Sequence, residues 1–145
     1  MTEITVAICT YKRIEIQKTL TSIADQILPE NVYIRVIIAD NDVEPTMRQL
    51  IEETAKSLGI TLTYIHAPSR NISIARNACL INCETQWLVF IDDDETASNT
   101  WLSAHSGSPF SKGPRNPVMR AHQRSDNLTE TICPIFPAMH DPARH

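Results

Sequence analysis

The sequence predicts an α/β fold: a Rossmann-like unit with a mostly parallel sheet flanked by helices, followed by an irregular C-terminal tail. Three observations predict it. Four β-rich apolar runs alternate with three segments of helical period. Each run ends in polar residues, and the carboxyl ends of parallel strands are where open α/β sheets gather their ligands. The last run, Trp87-Leu88-Val89-Phe90-Ile91, stops at four consecutive acids, Asp92-Asp93-Asp94-Glu95.

The elements follow in order. Ile4 to Cys9 is the first strand, and Ile16, Leu20, Ile23 and Ile27 recur at helical spacing until Pro29 stops them. Tyr33 to Ala39 is the second strand, ending at Asp40. Pro45 can open a helix in which Met47, Leu50, Ile51 and Leu58 share a face, and Gly59 closes it as a C′ glycine does. Thr61 to Ile65 is the third strand, and Ile74, Ala78 and Ile81 line the third helix. Trp87 to Ile91 is short and apolar throughout, as befits a strand covered on both faces.

Past Leu102 the character of the chain changes. Six of the nine prolines and four of the five histidines fall there. The first 102 residues carry 8 Lys+Arg against 14 Asp+Glu, and the remainder 5 against 3. Prolines block long helices and central strands. Two parts are therefore expected, a folded unit over 1–102 and a proline-rich, disordered or poorly packed tail over 103–145. A reading-frame change or an early stop near Leu102 would produce such a break. A sheet ending at the fourth strand would leave an apolar edge uncovered.

Size and charge narrow the function. A chain of 145 residues is one domain at most, long enough for a real core. A net charge of −4 and the lack of any basic run argue against binding a nucleic-acid backbone. No stretch approaches the ~18 apolar residues of a transmembrane helix. Met1-Thr2-Glu3 leads straight into a strand pattern, unlike a signal peptide. A cytoplasmic location, at most at the inner face of the membrane, is expected. Cys9, Cys79, Cys83 and Cys133 read as small thiols in a reducing compartment, although the Cys79/Cys83 spacing could also hold a metal.

The strand-end loops carry the chemistry. Thr10-Tyr11-Lys12-Arg13 offers a hydroxyl, an aromatic ring and two cations, which can hydrogen-bond, stack on a base and neutralise phosphate. Asp40-Asn41-Asp42 could accept a base N–H or a ribose hydroxyl, or simply form an Asx-turn. His66, Ser69, Arg70 and Asn71 follow the third strand, and Arg76 on the next helix suits bidentate contacts to phosphate or an ion pair with the acids. His66 reads as a loop histidine rather than a catalyst. Four adjacent carboxylates repel one another, and a hard divalent cation such as Mg²⁺ or Mn²⁺ would relieve them. A solvated acidic turn is the competing reading.

This ordered set, Val6 to Arg13, Ile38 to Asp42, Ser73 to Asn77 and Phe90 to Glu95, resembles the inverting family 2 glycosyltransferases of GT-A fold, in their N-terminal nucleotide-sugar-binding half. The resemblance covers residues 3 to about 102 and departs where the family often has glycine, at Asn71-Ile72-Ser73. It implies a nucleotide-diphosphate sugar donor, a UDP-sugar above all, a divalent cation and an acceptor hydroxyl on a glycan or lipid-linked sugar. Thr10, Tyr11 and Asp40 would match residues holding the nucleobase and its sugar. Arg13 and Arg76 would lie toward the diphosphate. Asp92 and Asp94 would be the outer acids of a DxD motif, Asp94 the direct metal ligand, with Asp93 on the ribose. In such proteins the catalytic base lies well downstream of the acids, in the part replaced here by the proline-rich tail, so no residue is assigned that role. The expected activity is sugar transfer in polysaccharide biosynthesis by an incomplete, weakly active or inactive unit. The alternative is a non-catalytic nucleotide-sugar-binding or interaction module of the same fold. A nucleotidyltransferase would show a glycine-rich loop after strand one, and a receiver domain paired acids there; neither is present.

Overall fold

The computed structural model describes residues 2–69, 71–85, 87–106, 117–124 and 127–134. The elements run β1 (Thr2–Thr10), α1 (Ile16–Ala24), β2 (Val32–Asp40), α2 (Arg48–Leu58), β3 (Thr61–His66), α3 (Ile72–Asn82), β4 (Trp87–Phe90), α4 (Trp101–Ser106), β5 (Pro117–Arg124) and β6 (Asn127–Pro134). They build one sheet in the order β3-β2-β1-β4-β5-β6. Every neighbouring pair through β5 is parallel, and β6 returns antiparallel. The predicted mostly parallel α/β architecture is the one observed. The order reverses between β1 and β4, which creates a topological switch point at their carboxyl ends.

The pleat sorts β1 and β2 onto two faces. Ile4, Val6, Ile8, Val36 and Ile38 pack with Ile16, Leu20, Ile23 and Ile51 of α1 and α2, and with Trp101 and Leu102 of α4. Ala7, Ile37 and Ala39 face the other way, against Ala75, Cys79 and Cys83. The residues that α3 itself buries are small, Ala75 and Cys79, and they meet Ala7 and Ala39 of the sheet together with Ile37 and Leu88. This corrects the face expected for α3: Ile74 and Ile81 are exposed, and Ala75 and Cys79 are its buried residues. Bulky isoleucines would hold the helix off the Ala7–Ala39 surface. Ile27 is likewise exposed, because α1 ends at Ala24. Gly59 caps α2 at φ +71°, as its position after Leu58 predicts.

In the C-terminal part the sequence reading placed no regular element, yet β5 and β6 stand there and β5 pairs along the open side of β4. The physical reason lies in where the prolines fall. Residues 118–124 and 127–133 are proline-free, while Pro117 begins β5 and Pro134 ends β6, positions where a missing N–H is tolerated.

Candidate functional site

Register brings the strand ends level. Thr10 of β1 pairs with Asp40 of β2, which pairs with His66 of β3. The three loops therefore leave the sheet side by side, and Asn41 N–H donates back to Thr10 O at 2.9 Å. The acidic segment joins them across the switch point. Thr10 Oγ1 donates to Asp93 Oδ2 at 2.9 Å, and the Tyr11 N–H reaches the same oxygen at 3.4 Å. Arg13 Nε lies 3.4 Å from Asp93 Oδ1, and its Nη1 lies 3.6 Å from Asp94 Oδ2. Asp93 is buried, and burial pushes its carboxyl above the ordinary carboxylate value, against the pull of Thr10, Arg13 and the Tyr11 amide. The loop after β1 is thus tied to the acids by Asp93.

The other three acids form a group of their own, in which Asp94 also meets Arg13. Asp92, Asp94 and Glu95 each offer a carboxylate oxygen, all within 4.8 Å of one another. A turn gathers them, with Glu95 N–H donating to Asp92 O at 3.2 Å. Hard oxygen donors at this spacing fit a divalent cation such as Mg²⁺ or Mn²⁺. Among the described residues this is the trio of His, Cys, Asp or Glu grouped closely enough to hold a metal ion. Glu95 was part of the acidic run but had no role in the sequence reading; only the turn geometry brings it to Asp92 and Asp94.

On the β2 loop, Asp40 is fully buried. Its Oδ1 accepts the Asp42 N–H at 3.0 Å, and its Oδ2 accepts the Tyr64 hydroxyl. Both the Asx-turn and an acceptor buried at the site are therefore present. Tyr64, unassigned from the sequence, keeps its proton: burial first, then the bond to Asp40, raises its pKa far above the usual phenol value. The Arg48 guanidinium lies 5.2 Å from the Tyr64 ring centroid. Asn41 Oδ1 is buried with no partner among the described residues. Lys12, at φ +50°, sets its ammonium 5.6 Å from the Tyr11 ring and 3.8 Å from Asp42 Oδ1. His66 closes strand β3 rather than standing in the loop expected from the sequence, and its Nε2 bonds Asp42 O at 2.8 Å.

Arg76 is half-buried in the second turn of α3, five residues past its N-cap, where Asn71 Oδ1 accepts the Ser73 N–H. Its position relative to the acids shows in Cys9. That thiol is lowered most by a hydrogen bond with Cys79, then by the charge of Arg76, while burial and the charges of Asp92 and Asp93 raise it. Arg76, Asp92 and Asp93 are thus all close enough to Cys9, next to the end of β1, for their charges to act on its thiol. Cys9, Cys79 and Cys83 are free thiols, and no metal grouping forms on them among the described residues. Arg70 and the tail acids Asp126 and Asp141 lie outside the described residues.

Helix α1 underpins the acidic turn. Thr19 is fully buried, with its Oγ1 at 3.1 Å from Asp93 O and 2.6 Å from Glu95 O. Ser22 Oγ accepts the Ala97 N–H, and Gln26 binds both Ser98 O and the Leu102 N–H. Thr19 and Ser22 share a face of α1, and Gln26 follows just past its end at Ala24. From the sequence, no role is assigned to Thr19, Ser22 or Gln26.

Residues 5–106 match the description Glycosyl transferase family 2. The chain belongs to that family. A relative in the same family region is the succinoglycan biosynthesis protein ExoM of Rhizobium meliloti (strain 1021), 47% identical over 100 residues, which are 69% of this chain and 32% of ExoM. The chain thus spans about a third of that relative's length. Among solved structures, S. aureus TarS aligns over 73% of this chain and 19% of its own, at 22% identity and a TM-score of 0.60. TarS 1–349 in complex with UDP-GlcNAc aligns over 73% of this chain and 30% of its own, at 21% identity and a TM-score of 0.56. These structures share the fold, and the GT-A N-terminal half expected from the sequence is the part they share. Among the described residues, no helix is long and apolar enough to cross a membrane.

Proposed function

We propose that this chain binds a nucleotide-diphosphate sugar, with a UDP-sugar as donor, for transfer to an acceptor hydroxyl in polysaccharide biosynthesis. The observation that carries the proposal is the Asp93 clamp: it sets the Thr10-Tyr11 loop against a carboxylate trio at the switch point of a family 2 fold. The complex of TarS 1–349 with UDP-GlcNAc and ExoM's role in succinoglycan biosynthesis support the donor and the pathway class.

In this reading Tyr11, half-exposed, stacks on the base, and Thr10 and Asp40 hold the nucleoside. The orphaned Asn41 Oδ1 is an acceptor that a donor on the nucleoside would satisfy. For Asp40 to accept a base N–H, the Tyr64 hydroxyl has to share or yield Oδ2. Asp93 holds the loop in place and is near enough to that loop to meet the ribose. Asp92, Asp94 and Glu95 would hold the divalent cation, which supplies Lewis-acid neutralisation of the departing diphosphate. Arg13 and Arg76 add fixed positive charge where that leaving group develops. Arg13 would leave Asp94 for the phosphates once the acid is otherwise neutralised. The chain by itself would transfer sugar weakly or not at all. The second reading is a nucleotide-sugar-binding module without transfer.

Calorimetric titration of UDP with and without Mn²⁺, on the unaltered chain and on Asp94→Ala, tests the proposal. Metal-dependent binding that the substitution abolishes is expected. Equal heats in all arms would overturn it. Release of sugar from a panel of UDP-sugars then separates transferase from binder.

A further inference from the structure

We infer that Thr19 is a positioning residue for the cation-binding turn, acting from helix α1 without touching the cation. The inference rests on the proposed metal role of Asp92, Asp94 and Glu95. Its own ground is independent of that role. The hydroxyl of a fully buried side chain sits beneath the acids, 2.6 Å from Glu95 O and 3.1 Å from Asp93 O. The Glu15 carbonyl, one turn back along α1, lies at 3.5 Å. A threonine hydroxyl carries a single proton. The shortest contact takes it, so Thr19 donates chiefly to Glu95 O and only in part to Asp93 O.

This bond fixes the curvature of the turn. Glu95 N–H already closes onto Asp92 O at 3.2 Å, and Thr19 holds the Asp93 and Glu95 carbonyls of the same segment. Between two anchored carbonyls, the backbone of Asp94 has little room to move. The carboxylates of Asp92, Asp94 and Glu95 leave this segment, and their 4.8 Å grouping depends on its shape. The Asp93 side chain, unlike its carbonyl, is held by Thr10 and Arg13 rather than by Thr19. Removing the Thr19 proton therefore loosens the trio while leaving the Asp93 clamp in place. Ser22 and Gln26 hold residues farther along, at Ala97, Ser98 and Leu102, and the Ser22 hydroxyl meets the backbone carbonyl of Thr19 rather than its side chain.

The test measures Mn²⁺ affinity directly, by electron paramagnetic resonance of free Mn²⁺, in the full chain with no nucleotide present. Thr19→Val keeps the shape and removes the donor, Thr19→Ser keeps the donor, and Ser22→Ala removes a bond beyond the acids. Hydrogen bonds that orient metal ligands are typically worth roughly ten- to a hundredfold in affinity. Thr19→Val is expected to weaken Mn²⁺ binding about tenfold or more, Thr19→Ser to restore it to within about threefold, and Ser22→Ala to leave it unchanged while lowering the melting temperature. Should Thr19→Val not fold, Thr19→Cys, whose thiol donates only weakly, takes its place with the same direction expected. Unchanged affinity in Thr19→Val, or an equal loss in Ser22→Ala, would overturn the inference alone. No saturable Mn²⁺ binding in the unaltered chain would overturn the metal reading and this inference with it.

Discussion

Thr10 Oγ1 donates to Asp93 Oδ2 across 83 residues of sequence, and this bond joins the two loops that a nucleotide and its cation would each need. Its worth can be measured. Thr10→Val leaves a buried carboxylate oxygen short of a donor, and such a loss costs about 1–3 kcal/mol. Urea unfolding of Thr10→Val, Asp93→Asn and the double variant should show coupling of ~1 kcal/mol between the two sites. Strict additivity would mean that the bond does not hold the loops together. UDP affinity should fall in Thr10→Val along with stability.

Arg13 spans Asp93 and Asp94, with half its side chain in solvent. Exposed ion pairs are worth ~0.2–1 kcal/mol, so Arg13 is a weak internal competitor for Asp94. Arg13→Gln should tighten Mn²⁺ binding by roughly two- to fivefold at low salt, and the gain should shrink near 1 M salt as screening removes the competition. The same substitution should weaken UDP binding, because the cation then lacks its partner at the phosphates. Opposite signs for the two ligands are the outcome to look for, and parallel changes would count against the exchange.

Tyr64 gives a pH prediction whose sign follows from its raised pKa. The reference phenol value is 10.0, and the folded-state value lies above it, chiefly through burial and then through the bond to Asp40. Below pH 10 both folded and unfolded chains keep the proton, so the contribution of Tyr64 is fully present there. As pH rises past that point the unfolded chain releases it first, and the contribution declines. Stability of the unaltered chain should therefore drop more steeply above pH 10 than that of Tyr64→Phe. Parallel alkaline unfolding curves would contradict the buried Tyr64–Asp40 bond.

Gly59 isolates a backbone effect. Its φ is +71°, and a Cβ there would meet nothing within 4 Å. Any cost of Gly59→Ala is therefore conformational, about 1–2 kcal/mol for an L-residue in the left-handed region. Gly59→Asn should cost less, since asparagine visits that region more readily. Thermal melts of the two variants would rank them.

The first four strands are legible in the sequence because each announces itself twice, by its β-rich run and by the polar residues at its carboxyl end. It carried Thr10, Asp40 and the acids for the same reason: strand ends are fixed by register, so their loops must lie side by side. Tyr64 was hidden because a half-buried strand tyrosine looks like any other; only its pairing beside Asp40 gives it a purpose. Thr19 and Glu95 depend on how a turn folds back onto a helix, which no local pattern encodes. The face of α3 was misread because hydrophobicity favours Ile74 and Ile81, while close packing on Ala7 and Ala39 selects Ala75 and Cys79. The strands β5 and β6 escaped notice because proline was counted by density rather than by position.

Trp101 tests whether the segment leaving the acids is part of the core. It is 1% exposed, packs in the cluster that includes Ile23 and Ile91, and has an indole Nε1 without a partner among the described residues. Two effects compete on substitution. Trp101→Ala empties a large buried volume, which costs about 3–5 kcal/mol. A domain of this size has a total stability of ~5–15 kcal/mol, so much of its margin would go. Trp101→Phe keeps most of the contact and removes an N–H that is desolvated without a hydrogen bond, and the relief of that penalty offsets part of the lost volume. It should cost less than half as much as the alanine variant. If instead alanine and phenylalanine were equally mild by urea unfolding, Trp101 would not be packed on the sheet, and Thr19, Ser22 and Gln26 would have no anchored segment to hold.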